Sequence, residues 1–336
     1  MFTHSLPLVP HAVLDAAGQV RFGKFSGAIT SIDWTGVAAP YMRPFWWRQV
    51  HHKRWQYLAL STQDIFCGIA IVDVGWTNTA FAYVFDRQQK KIIASFSQDG
   101  FPRLTAKVNS HPAQGAASHF HFLRNQINFN HALDTSLATL DLACGDFFIH
   151  AQLNVQKALP SLTAIGAVRG GTVHATVKSA GLPLTGDVCV AGRRFILDGG
   201  VGSTDYSNGF LARETAWRWA SAHNLEVGFN LQAGYFGDNE NALWLDGKVI
   251  SLSAANFDFD ANNPLGTWHI TTADGLLDLY FQPEGCRQED KNLLIAASRY
   301  VQPIGTFNGW VKAGKDALPQ AISNLVGVTE DHFSRW

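Results

Sequence analysis

The amino-acid sequence predicts an all-β protein of two packed antiparallel units, each a small barrel or curved sheet, with few short helices. Three observations carry this expectation. Apolar and polar residues alternate with a period of two along much of the chain, between turns rich in Gly, Asn and Asp, while long helical periodicity is missing. A stretch of the first half recurs in the second at an offset of 160 residues. Finally, 11 Trp, 23 Phe and seven Tyr against two Met supply rigid, flat side chains suited to filling the space between large sheets.

The strands follow in order. Arg54 to Ser61, Phe66 to Asp73 and Thr79 to Phe85 read as a meander, and the polar segment Asp86 to Lys91 as its closing turn. In the second half the same pattern returns at Thr172 to Val177, Thr185 to Ala191, Glu214 to Ala222, Val227 to Ala233, Asn241 to Leu245, Trp268 to Thr272 and Leu276 to Phe281. Helix is expected only near Gly209 to Leu211 and around Leu318 to Leu325.

The recurrence aligns Gly68 to Asp86 with Gly228 to Asp246, setting Ala82 on Ala242 and Trp76 on Phe236. Upstream, each copy has a strand with alternating aromatics, Trp55/Tyr57 in the first and Trp217/Trp219 in the second. Two units of about 150 residues follow, with a boundary near residue 160, so that 1–160 and 161–336 form the N-terminal and C-terminal units. No long flexible linker separates them, and they are expected to pack together, with any ligand pocket inside a barrel or between the units.

Charge narrows the class of partner. With 26 basic and 27 acidic side chains, and no basic run longer than His51-His52-Lys53-Arg54, the sequence carries no electrostatic footprint for nucleic acid or an anionic membrane surface, and partners of that kind are not expected. The longest apolar stretches fall far short of the roughly 20 residues of a membrane helix, and the N-terminus has no signal-peptide pattern. A cytoplasmic protein is expected, its four widely spaced cysteines reduced and structural. Oligomeric state is left open.

The segment Asp205-Tyr-Ser-Asn-Gly-Phe-Leu-Ala-Arg-Glu-Thr-Ala-Trp-Arg-Trp-Ala-Ser-Ala222 resembles the signature of the DUF2804 family. Gly228-Phe-Asn-Leu, Glu240 to Lys248, Leu276 to Pro283, Trp55-Gln-Tyr-Leu, Asp73-Val-Gly and the ending Glu330 to Trp336 are similar to that family's pattern as well, so the resemblance spans roughly residues 20 to 336. It implies a calycin-like architecture of two lipocalin-like units, distantly akin to the carotenoid hydratase and tocopherol cyclase families. Fold analogy implies no chemistry by itself.

Candidate site residues are read from their own surroundings. In the strand Arg213 to Trp219, alternation puts Glu214, Ala216 and Arg218 on one face and Arg213, Thr215, Trp217 and Trp219 on the other. Glu214 with Arg218 is either a register-fixing ion pair or an acid poised by burial. Asp73 stands in the apolar strand Ile69-Ala-Ile-Val-Asp-Val, as a site carboxyl or as a strand-end turn former. Glu240 lies in the acidic turn Asp238-Asn-Glu-Asn241, beside the recurring hairpin and able to face the mouth of the second unit. Trp55, Tyr57, Trp76, Trp217, Trp219 and Trp244 are candidates for an aromatic wall, and Arg213 or Arg218 for holding a polar head. His119 and His121 share one face of a strand, as substrate contacts, a metal-binding pair or plain surface histidines. No metal site is completed by spacing, and no nucleophile elbow or nucleotide loop is present, so no cofactor is expected.

Two functions fit. The first is a cofactor-free hydratase, dehydratase or cyclase using Asp73, Glu214 or Glu240 as the acid on an apolar, isoprenoid-like small molecule in an aromatic-lined barrel cavity. The second is a non-catalytic carrier of a lipid or pigment, which needs the same cavity and no acid.

Overall fold

The computed structural model describes residues 6–292 and 297–336. The chain opens with β1 (Gly23–Ser26) and a helix α1 (Phe45–His51), then the meander β2 (His52–Ser61), β3 (Ile65–Asp73), β4 (Asn78–Asp86) and β5 (Lys91–Gly100). Short strands follow: β6 (Ala106–Val108), β7 (Ala116–Phe122), β8 (Asn125–His131), β9 (Leu137–Cys144) and β10 (Phe147–Asn154). β11 (Leu162–Ala167), the long β12 (Val173–Val190), β13 (Arg193–Ile196) and β14 (Val201–Phe210) complete the first sheet. The second sheet holds β15 (Glu214–His223), β16 (Gly228–Gly234), β17 (Ala242–Leu245), β18 (Lys248–Ser251), β19 (Ala255–Asp258), β20 (Trp268–Thr272), β21 (Leu277–Asn292), β22 (Ala297–Val311) and β23 (Gln320–Arg335).

Both sheets share one plan. Each starts with a meander, β2-β3-β4-β5 or β15-β16-β17-β18, and each pairs the meander's first strand with the sheet's last, β2 with β14 and β15 with β23. The sheets curl: β6 lies against β3 in the first, and β19 against β16 in the second. The architecture is all-β, as the alternation predicts. The change of sheet falls between Phe210 and Glu214, so β11 to β14 belong to the first sheet although they follow the expected boundary near residue 160.

The two expected helices are corrected. Gly209 and Phe210 end β14, which is paired with β2 and β12, and Gln320 to Leu325 open β23, where β22 supplies the ladder; these pairings outweigh local helix propensity. Among the described residues the one α-helix is α1, which sequence periodicity did not single out.

Alternation decides what each face meets. In β2, Leu58 and Leu60 point into the first unit while Tyr57 and Ala59 point out; in β4, Ala80, Ala82 and Val84 point in while Phe81, Tyr83 and Phe85 point out. Leu140, Ile149, Val188, Cys67 and Cys144 join the interior core of the first unit, and Phe229, Leu231, Phe281 and Phe307 that of the second. The outward faces of β2, β3 and β4 pack on Trp219, Ile304 and Val328 of the second sheet. These meander strands are therefore buried on both faces, which is why they read as near-continuous apolar runs. Apolar side chains pack the interior of each unit, and an open volume near the aromatic strands lies between the units.

Candidate functional site

The cleft between the sheets is bounded by β2, β3 and β4 on one side and by β15, β22, β23 and the β16–β17 turn on the other. Its inner part, about 110 Å³, is walled by Trp55, Tyr57, Phe81, Trp217, Trp219, Tyr235, Tyr300 and Trp336. An outer part of about 230 Å³ shares Phe81, Tyr300, His332 and Trp336 with it and runs to Trp76, Asn78, Asp99, Arg287 and Lys291. A cleft with aromatic walls and a few convergent polar groups is the usual form of a small-molecule site.

At the inner end, three charged side chains meet away from water. Lys178 Nζ on β12 lies 2.5 Å from Asp205 Oδ2 on β14 and 3.3 Å from Glu240 Oε2. All three line the cleft, and Lys178 and Glu240 are only 4% and 3% exposed. One ammonium thus faces two carboxylates. The short contact is with Asp205, and Glu240 Oε2 has no aligned hydrogen-bond partner. Burial, reinforced by the neighbouring Asp205, raises the Glu240 pKa despite the opposing pull of Lys178. Burial works to lower the pKa of Lys178, but Asp205 and Glu240 more than offset it and keep the ammonium charged. The trio is neutral when Glu240 keeps its proton, a buried acid aimed at an aromatic cleft.

Local structure holds Glu240 there. Gly234 ends β16 at a φ of +142°, where a Cβ would sit 2.2 Å from the Ala216 carbonyl oxygen, so only glycine lets the chain turn so close to β15. In the following turn the Glu240 carbonyl accepts a hydrogen bond from Asn230 Nδ2 at 2.9 Å, and Asn241 Oδ1 accepts one from the Gln232 amide at 2.7 Å. Beside it, neither side-chain amide atom of Gln232 has a partner, although the residue is buried, and the Tyr300 hydroxyl is likewise unpartnered. Buried polar groups left unsatisfied at a cleft wall are available to a ligand.

A second polar group sits on β23. Glu330 accepts from Trp217 Nε1 at 2.8 Å and from Gln302 Nε2 at 3.0 Å, and Gln302 Oε1 accepts from Tyr83 Oη. His332 lies 3.3 Å from Glu330 and packs its ring 4.0 Å from that of Trp217. This carboxylate is fully engaged, so its role is to fix the indole of Trp217 in the wall. Arg287 stacks over Phe81 and Tyr300 at 4.0 and 4.9 Å from the ring centroids, placing a guanidinium at the junction of the two parts.

Of the residues singled out in the sequence, Trp55, Tyr57, Trp217, Trp219 and Glu240 come together in the inner cleft, and Trp76 lines the outer part. The others do not join them. Asp73 pairs with Arg54 at 2.5 Å and accepts the Gly75 amide, which is the strand-end role. Glu214 is exposed at the start of β15, and Arg218, on the same outer face, pairs with Asp331 directly across the ladder and not with Glu214. Arg213 is exposed, its carbonyl accepting the Trp336 amide. His119 and His121 sit on β7, near the edge strand of the first sheet, their rings 5.2 Å apart, and among the described residues no third metal-ligating side chain joins them. Trp244 is buried elsewhere between the units, donating to the Pro160 carbonyl at 2.7 Å.

Lys178, Asp205, Gln232, Tyr235, Tyr300, Glu330 and His332 complete the cleft without having been singled out. For three of them a signal existed: Asp205 opens the family-like segment, and Glu330 and His332 lie in its ending. The rest are single polar residues in strands, whose partners come from distant parts of the chain.

Three histidines packed against aromatic side chains, His52 on Phe210, His174 on Trp55 and His223 on Trp244, set an acid limit on the fold. Burial holds His174 and His223 down to about 3 and His52 to about 4 from an ordinary value of 6.5. These groups stay neutral in the folded protein, while the unfolded chain takes up protons below about pH 6.5. The stabilisation is present above the unfolded value and is lost as pH falls towards the folded ones, at about 2 kcal/mol per histidine by about pH 5. We expect the Tm to drop steadily between about pH 6.5 and 5 in a circular-dichroism melt; an unchanged Tm over that span would refute this account.

The family described as "Domain of unknown function (DUF2804)" matches residues 8–336. No curated protein matches the chain. Among solved structures, the fold is similar to kievitone hydratase from Nectria haematococca, with a TM-score of 0.55 and 11% identity over 95% of this chain and 98% of that one. It is also similar to CghA with Sch210972, with a TM-score of 0.58 and 11% identity over 98% of this chain and 97% of that one. At such identity the likeness is one of fold.

Proposed function

The chain belongs to the DUF2804 family, and on that premise we propose that the protein is a lyase or isomerase of the hydratase, dehydratase or cyclase type, acting by acid catalysis on an apolar, isoprenoid-like small molecule in the cleft between its two sheets. The observation that carries this reading is the buried trio, in which one lysine faces two carboxylates and burial raises the pKa of Glu240. A structure of the same fold bears the name of a hydratase, which agrees in class.

The geometry supports the following sequence. Glu240 donates its proton to an alkene carbon, or to a hydroxyl that leaves as water. The π electrons or the departing C–O pair leave a carbocation on the substrate, and the Glu240 carboxylate, beside Lys178, is stabilised as it forms. The faces of Trp55, Trp217 and Tyr235 stabilise that cation by about 0.5 to 2 kcal/mol each and exclude stray water. Addition of one water, whose surplus proton passes to the Glu240 carboxylate, or loss of a proton from a neighbouring carbon to Glu240, gives product and restores the acid. Gln232 and the Tyr300 hydroxyl orient the substrate's oxygen or the attacking water, since both lack other partners.

The test is product mass after incubation with a pooled isoprenoid and lipid extract in 18O-labelled water, next to a Glu240→Gln control. Label in a product made only by the wild type, or an isomer resolved by retention time, supports the reading. Retention of an unchanged compound with no product would make the protein a carrier and end it.

A further inference from the structure

The large apolar side chains that the described residues expose are not spread evenly. Phe45, Trp46 and Val50 project from α1, Phe101 and Leu104 from the β5–β6 loop, and Leu123, 93% exposed, from the β7–β8 turn. These three places form one strip. Arg103 donates to Gln49 Oε1 at 2.5 Å, joining the β5–β6 loop to the helix, and the rings of Phe101 and Phe122 lie 5.9 Å apart, joining that loop to the β7–β8 turn.

Charge on the strip has one sign. Arg43, Arg103 and Arg124 stand among the apolar tips, and the chain has no Asp or Glu from 34 to 63 or from 100 to 133. The near-zero net charge of the whole protein conceals this. The strip also borders the outer part of the cleft. Asn78, which lines it, donates to the Phe101 carbonyl at 2.7 Å, and Lys53 donates to the carbonyls of Val50 at the end of α1 and of Val74 in the cleft wall, at 2.6 and 2.8 Å.

We propose that this strip seats the protein on an anionic lipid surface, so that an apolar substrate passes from the bilayer into the outer cleft. Trp46 suits the headgroup boundary, where the ring is buried and its N–H stays wet, and the Phe and Leu tips suit the acyl boundary beneath it. Interspersed arginines with no carboxylate among them suit an anionic leaflet and would be wasted on a neutral or acidic protein face. The aromatic tips lie on short, well-anchored elements, so seating them costs little ordering. The proposal goes beyond the acid chemistry, since docking needs no proton donor.

Co-sedimentation with vesicles of phosphatidylcholine, with and without phosphatidylserine, tests it. Binding to the anionic vesicles is expected to weaken about tenfold or more in Trp46→Ser/Phe101→Ser, which withholds two large apolar side chains from the lipid. It should weaken comparably at high salt and in Arg103→Glu/Arg124→Glu. All these positions are exposed, and an unchanged melting curve verifies that each variant is folded. Failure to sediment with either vesicle, or variants that bind like the wild type, would overturn the proposal. So would light scattering that shows a dimer dispersed by the same substitutions, because the strip would then be a self-association face. Glu240→Gln should bind vesicles like the wild type, so failure of docking and failure of the acid reading are separable.

Discussion

Glu240→Gln should lower turnover by about 10² to 10⁴, the usual contribution of a positioned general acid, while substrate still binds. The amide keeps the shape of the carboxyl and cannot supply the proton. The pH profile carries the same information. Because burial raises the Glu240 pKa above the ordinary 4.5, the proton-bearing form persists to higher pH than for a surface glutamate. Turnover should therefore be fully present on the acid side and fall as pH rises through the raised value. The acid-induced loss of stability from the buried histidines bounds the profile from below, so a bell is expected with its two limbs of different origin. Glu214→Gln is the matched control: that side chain is exposed on the outer face of β15, and turnover should not change. If Glu240→Gln turns over substrate like the wild type, the acid lies elsewhere and the mechanism is wrong.

Lys178→Met should destabilise the fold by about 3 to 5 kcal/mol, the size expected when one partner of a buried ionic group is removed and its counter-charges remain. Here two carboxylates would be left, Asp205 and Glu240, in a place that excludes water. The sign with pH follows. The penalty comes from ionised carboxylates, so it should be greatest near neutrality and shrink as the pH falls and they take up protons. Adding Asp205→Asn to Lys178→Met removes the charge that Lys178 principally neutralises and should recover much of the loss. Denaturant unfolding of the two variants, each beside the wild type, checks both statements. A Lys178→Met protein as stable as the wild type would mean that the trio is hydrated, and the argument for a proton held on Glu240 would fail with it.

What the sequence determined by itself was local. Alternation of period two is a property of neighbouring residues, so the all-β class, the meander at Arg54 to Phe85 and the faces of Arg213 to Trp219 were legible. The aromatic pairs Trp55/Tyr57 and Trp217/Trp219 were legible for the same reason, and they do meet across the cleft. Tertiary structure decided which carboxylate is the acid. Asp73, Glu214 and Glu240 look alike along the chain, yet the first meets Arg54, the second meets water, and only the third meets a lysine already committed to Asp205. That difference rests on β12, β14 and the β16–β17 turn, brought together by the docking of two curled sheets. The helix expected at Leu318 to Leu325 failed for a related reason: the segment pairs with β22, a strand neighbour that no local pattern reveals. Burial, and with it the pKa of a carboxyl group, is set by what packs on it from afar.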